Sequence, residues 1–212
     1  MKSSAAMSAG FRSPYFLDLL GRAAAVTFFG FFALRMFAAL LETGSPLYFI
    51  LFASEFLVVM FSLLRRATRD VSQRGVDWAV ALAGTNLPLL AQPGGVPLAP
   101  EAVSAALMIF GLLASIWAKL SLRRSFGIVA ANRGVKTSGP YTLIRHPMYA
   151  GYLVIQVGFL LFSPTLWNLL IYVAAASLQL LRMQAEEEIL RQDPTYRDYA
   201  DRVRYRLVPG LY

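Results

Sequence analysis

Charge is scarce in this chain. Of its 212 residues only 15% are Asp, Glu, Lys or Arg, where an ordinary soluble domain carries about a quarter. Hydrophobic residues make up 57%, more apolar surface than a soluble fold of this size can hide, so an exterior facing lipid is expected. Cysteine is absent altogether, which excludes a disulfide scaffold and any thiolate metal site; no metal site is expected. Histidine occurs once, at His146. A formal charge of +8 raises nucleic acid as a partner, but the basic residues sit at the ends of apolar runs and form no single stripe. Membrane lipids, not nucleic acid, are the expected surroundings.

What is present is a series of apolar runs. A membrane helix needs about 20 such residues. Runs from about Phe16 to Leu41 and Leu47 to Leu64 flank the turn Thr43-Gly44-Ser45-Pro46. A weaker run covers Val76 to Ala91 and ends in Gln92-Pro93-Gly94-Gly95-Val96-Pro97, which cannot hold a helix. Another spans Ala102 to Leu120. After the polar segment Ser121–Arg145, a pair of helices is expected over Met148–Phe162 and Leu166–Glu188, packed as an antiparallel hairpin and broken at Ser163-Pro164-Thr165. The fold class is therefore all-α, a polytopic transmembrane bundle of five to six spans with a cytoplasmic C-terminal helical tail. Residues 1–120 read as N-terminal membrane helices and 121–212 as a catalytic C-terminal region. No small-residue cleavage site follows the first run, so it reads as a retained helix.

The positive-inside rule sets the orientation. With the Arg65–Arg74 loop in the cytoplasm, alternation puts both termini and the Leu120–Arg145 loop there too. Eighteen of the twenty basic residues then fall inside, from Lys2 and Arg12 through Arg69 and Lys119 to the arginines of the tail. The predicted outer loops hold none. Arg35 and Glu55, on opposite arms of the first hairpin, fall at similar depth; they read as an intramembrane ion pair or as polar lining of a substrate pocket.

Two segments are loaded with chemistry. In Gly139-Pro140-Tyr141 through Arg145-His146-Pro147-Met148-Tyr149-Ala150-Gly151, Pro147 suits the first helical position, where its missing N–H costs nothing. Arg145 and His146 then flank a helix N-terminus, a site for a carboxylate or phosphate of a ligand or of lipid. In Arg182-Met183-Gln184-Ala185-Glu186-Glu187-Glu188, Arg182 and Glu186 share a face, while Glu187 is turned by about 100°. The run reads as a solvated helix end or, brought near His146 by the returning chain, as part of a site for a zwitterionic ligand. Tyr196 and Tyr199, three apart, either cap that site or lie on headgroups.

The order Arg145-His146-Pro147-Met148-Tyr149-Ala150-Gly151, Glu186-Glu187, Tyr196, Tyr199 and a closing Val208-Pro209-Gly210 resembles the isoprenylcysteine carboxyl methyltransferase superfamily of integral membrane enzymes, which includes phospholipid methyltransferases. The resemblance covers roughly Arg123 to Tyr212. It implies S-adenosylmethionine as donor, held by Tyr141, Arg145, His146, Pro147, Tyr149, Gly151, Glu186, Tyr196 and Tyr199. It also implies a lipophilic small-molecule or lipidated acceptor entering from the bilayer. Arg182 and Glu187 become the candidate catalytic residues, Arg182 to hold a carboxylate acceptor and Glu187, or neutral His146 in its place, to take a proton from an amine or hydroxyl. Asp193-Pro194 stands where the family commonly has Phe-Gly, as in a bacterial-looking subgroup, which points to a bacterial inner membrane and withholds the named substrate. No Rossmann-type glycine turn is present. Two other readings stand beside this one: a sterol-reductase-like enzyme using NADPH, with Arg123–Lys136 on its 2′-phosphate, and a non-enzymatic lipid-anchored protein.

Overall fold

The computed structural model describes residues 14–44, 46–68 and 70–210. Seven α-helices and no β-strand are found among them. They are α1 (Pro14–Thr43), α2 (Pro46–Leu64), α3 (Gly75–Asn86), α4 (Glu101–Leu122), α5 (Pro147–Phe162), α6 (Leu166–Leu190) and α7 (Pro194–Arg202). Three of these, α1, α4 and α6, are long and apolar enough to cross a membrane; α2 and α5 are shorter apolar helices. Large apolar side chains such as Leu34, Leu41, Phe110 and Leu170 stand exposed along them, as lipid-facing residues do. The chain is an integral membrane protein.

The third apolar run is cut short. Pro88 cannot donate to the helix ladder, so α3 stops at Asn86 and a 3₁₀ turn, Leu87–Leu90, replaces its last residues. The loop that follows is pinned by Asn168, whose amide accepts from Gln92 N at 3.0 Å and donates to Gln92 O and Ser163 O, both at 2.8 Å.

Packing pairs the helices as α1 with α2, α4 with α5, and α3 with α6. The expected hairpin of α5 against α6 is thus corrected. The two are consecutive and meet near their ends, but each packs mainly against another partner. The reason lies in small residues. Gly111 and Ser115 on α4 face Gly151 on α5 so closely that a Cβ on Gly111 would sit 2.6 Å from the Gly151 carbonyl oxygen. Gly158 meets Ser104 and Leu107 in the same way. Helix α6 contains no glycine, and it and α5 splay apart around a cavity.

At the end of the bundle where the basic residues gather, the linkers lock together. Ser72 N donates to Ala130 O and Asn132 N to Asp70 O, at 3.0 and 2.9 Å. Asp18 of α1 accepts from Arg65 at 2.9 Å and from Arg133 at 2.7 Å, with Arg22 at 3.8 Å. Lys2, Arg12 and Arg69, which entered the orientation count, lie outside the described residues. Lys119, counted there with the inner loop, is buried inside the bundle and donates to Ser54 Oγ at 2.8 Å. The Arg35–Glu55 pair is also corrected. No ion pair joins them among the described residues; Arg35 lies 6.0 Å from the ring of Phe31, one turn back on its own helix, while Glu55 faces the cavity.

Candidate active site

The site is built where α5 begins. Gly139 takes φ +64°, and a side chain there would meet Ser121 Oγ at 2.7 Å, so the turn before α5 needs a glycine. That turn buries Tyr141. Pro147 occupies the first turn of α5 and His146 caps it. The C-terminal tail folds back along this start, with Arg145 N donating to Tyr205 O and His146 N to Arg206 O, both at 2.9 Å. Helix α7 is started by Asp193, whose carboxylate accepts from Thr195 N at 2.9 Å and from Asn132 Nδ2 at 3.1 Å. Those hydrogen bonds, Asn132 first, hold its carboxyl below the ordinary range. The Asp-Pro pair at this position therefore makes a capped helix start.

The two consecutive glutamates of α6 have different lives. Glu186 lines a polar pocket. It accepts from Tyr149 Oη at 2.5 Å, and Arg182 Nε lies 3.4 Å from it. Glu187 is rotated away and 2% exposed, among Arg145 at 3.4 Å, His146 at 3.1 Å, Arg206 at 3.0 Å and Arg191 at 3.4 Å. A carboxylate enclosed by four cationic or potentially cationic partners and lining neither cavity is an anchor. Its expected role as a proton acceptor is corrected on that ground. The anchor holds the start of α5, the end of α6 and the tail together.

Two cavities meet here. The first, about 750 Å³ to its mouth, is lined by Tyr141, Arg145, His146, Tyr149, Glu186, Tyr196 and Tyr199, together with Arg133 and Lys136 of the loop. Tyr196 and Tyr199 are 3% and 2% exposed, so α7 turns them inward and caps this pocket. Tyr199 Oη donates to the Tyr141 carbonyl at 2.7 Å. Burial pushes the Tyr199 hydroxyl up to about 12, and raises Tyr141 and Tyr196 as well, the Tyr141 shift reinforced by the charge of Glu186. Gly151 does not reach the pocket. It lies two residues past Tyr149, on the face turned to α4, and serves helix contact. Pro147 is buried but shapes the helix start without lining the pocket.

The second cavity, about 1220 Å³, lies between the splayed helices and is largely apolar, with Phe28, Phe29, Phe32, Leu51, Val58 and Tyr172 in its wall. The stretch 126–129 divides the two, Gly127 and Val129 lining the first, Phe126 and Ile128 the second. Met148 and Tyr149 touch both. Arg182 lines the second, its guanidinium 5.2 Å from the Tyr149 ring, while Glu186 lines the first. Arg182, Tyr149 and Glu186 thus form a partition with a cation on the apolar side and an anion on the polar side.

Sequence reasoning missed several of these residues. Arg206 lay in a tail read only as a cap or a lipid contact. Arg133 is paired with Asp18, over a hundred residues away, and no local pattern announces it. Gln156 and Gln179 were passed over within apolar runs. Their polarity in those runs was the available signal.

Residues 100–196 match the family described as phospholipid methyltransferase, from the start of α4 through the first turn of α7, a little under half of the chain. No curated protein matches the chain. Through this C-terminal region, which holds most of both cavity walls, the chain is similar to the phospholipid methyltransferases, a family of methyl-transferring enzymes.

Proposed function

We propose that the protein is an S-adenosylmethionine-dependent methyltransferase acting on a lipophilic acceptor, with the donor in the polar pocket and the acceptor in the apolar one. The single observation that carries this reading is the Arg182–Tyr149–Glu186 partition, which sets a charged pocket directly against a largely apolar cavity.

The residues of the polar pocket fit the donor. Glu186 offers an anion to an ammonium group, and Arg133, Lys136 and Arg145 offer cations to a carboxylate. The Arg145 Nε is buried without a hydrogen-bond partner among the described residues. The donor, when bound, supplies an activated methyl group on a sulfonium. Transfer of that group is an in-line displacement, so the protein's task is alignment and exclusion of water. Tyr149 and Met148, in both walls, separate the aqueous side from the lipid side. Arg182 holds a carboxylate acceptor, which needs no general base. Glu187, already neutralised, takes no part beyond holding the scaffold. The basic end of the bundle, and with it the polar pocket, faces the cytoplasm, in accord with the charge distribution.

Titration of the purified protein in nanodiscs with S-adenosylmethionine tests the reading. Saturable binding is expected, weakened about tenfold or more in Glu186→Ala, which loses a charge-assisted contact. His146→Ala should weaken it as well, by loosening the Arg145–Glu187 anchor. Saturation by NADPH and not by S-adenosylmethionine would refute it.

A further inference from the structure

One cation in the wall of the polar pocket has its direction set from outside the pocket. Arg133 lines the pocket and is 5% exposed. Its Nη2 donates to Asp18 Oδ1 of α1 at 2.7 Å, and its carbonyl oxygen accepts from Ser125 Oγ at 3.0 Å. Its Nε is enclosed without a partner. Nη1 differs, keeping accessible surface while finding no hydrogen-bond acceptor among the described residues. That nitrogen lies over Gly127, where an added Cβ would collide with it, and Gly127 lines the same pocket. A guanidinium is a rigid planar fork, so a hold on Nη2 and a backbone bed under Nη1 fix where Nη1 points.

The anion of the pocket stands apart from this cation. Glu186 is committed to Tyr149 Oη at 2.5 Å and to Arg182 at 3.4 Å, and no ion pair joins it to Arg133 among the described residues. A pocket that keeps a carboxylate and a guanidinium from meeting suits a ligand whose ammonium and carboxylate go one to each. The other two cations are less prepared. Arg145 is drawn to Glu187 and to the Arg204 carbonyl, both at 3.4 Å, and Lys136 hangs on a flexible stem whose ordering costs entropy.

We infer that Asp18 is a positioning residue for the donor site: by holding Arg133 Nη2 it aims Nη1 at the carboxylate of the donor's amino-acid end. Asp18 lies far outside the matched region, so the first helix completes a site that the C-terminal region builds only in part. Arg65, which shares Asp18 Oδ1 at 2.9 Å, keeps the carboxylate in place from the other side. Without Asp18 the two guanidinium groups repel and Arg133 loses its aim. The inference rests on the donor occupying the polar pocket, and the test tells the two apart.

The full chain in phosphatidylcholine nanodiscs is titrated calorimetrically with S-adenosylmethionine and with its decarboxylated counterpart, which keeps the ammonium and the sulfonium. The unaltered protein should prefer S-adenosylmethionine about tenfold or more, the worth of one charge-assisted contact. Arg133→Met should lose that preference. Asp18→Asn should shrink it to about twofold, through weaker binding of S-adenosylmethionine alone. The ratio is read on one protein sample, so an unfolded fraction affects both ligands alike. Asp18→Asn/Arg65→Met, which leaves fewer stranded cations, carries the same expectation where the single variant is too unstable to titrate. Loss of charge without loss of aim works in the opposite direction, since removing a nearby anion favours the ligand that bears a carboxylate. A preference unchanged or widened by Asp18→Asn, or absent from the unaltered protein, would therefore overturn the inference and leave the donor reading standing. Binding of neither compound by the unaltered protein would remove both.

Discussion

At Asp18 one carboxylate accepts from two guanidinium groups, Arg65 at 2.9 Å and Arg133 at 2.7 Å, and all three side chains are at most 4% exposed. Asp18→Asn keeps the shape and removes the charge. Two buried cations would then face each other, and the Nε atoms of both already lack hydrogen-bond partners among the described residues. The cluster is short of negative charge even in the native protein, since burial and the neighbouring Arg133 pull the Arg65 guanidinium down to about 10. Breaking a buried pair by removing one partner costs about 3–5 kcal/mol. For a chain of this length each kcal/mol corresponds to about 2–4 °C, so the unfolding midpoint should drop by roughly 10 °C. Because Arg133 also lines the polar pocket, affinity for S-adenosylmethionine should fall with it. Thermal unfolding in detergent and donor titration measure the two effects. Adding Arg65→Met to Asp18→Asn removes one of the two stranded cations and should restore part of the stability. An unchanged midpoint in Asp18→Asn, or no recovery in the double variant, would refute the argument that this carboxylate ties α1 and α2 to the pocket loop.

Gly111→Ala would place a methyl 2.6 Å from the Gly151 carbonyl and 2.9 Å from Ile155 N, both backbone atoms, so α4 and α5 must separate. A loss of about 1–3 kcal/mol is expected in the unfolding midpoint, with Gly30→Ala, which meets nothing within 4 Å, as the neutral control. Stability should also decline in alkali. Tyr141, Tyr196 and Tyr199 ionise at higher pH folded than unfolded, so below about pH 10 both states keep their protons and the full stability is present. Above that, the unfolded chain loses protons first and the folded state is progressively disfavoured. Unfolding midpoints across this range would show it, and Tyr199→Phe should flatten the decline.

The membrane class and the helix ends were legible because they are local. Apolar run length, prolines at 46, 88, 147 and 194, and the Gly139-Pro140 turn act within a few residues of where they stand. The difference between Glu186 and Glu187 was legible in part, since one residue of helix turns a side chain by about 100°. Which of them would face the pocket was not, because that depends on where the tail and α5 come to lie.

The sequence by itself determined that this chain is helical, lies in a membrane, and gathers its charge at one end of a bundle. Only the tertiary structure decided which helices pair, and hence that α5 and α6 splay around a cavity in place of forming a hairpin. It also decided that Asp18 meets Arg133, that Glu55 faces the cavity and not Arg35, and that Gln156 and Gln179 share it. The physical reason is the range of the interactions. Hydrophobic run length and backbone stereochemistry are written residue by residue. A close approach of two glycine faces, or a carboxylate shared by distant arginines, exists only once the chain has brought them together.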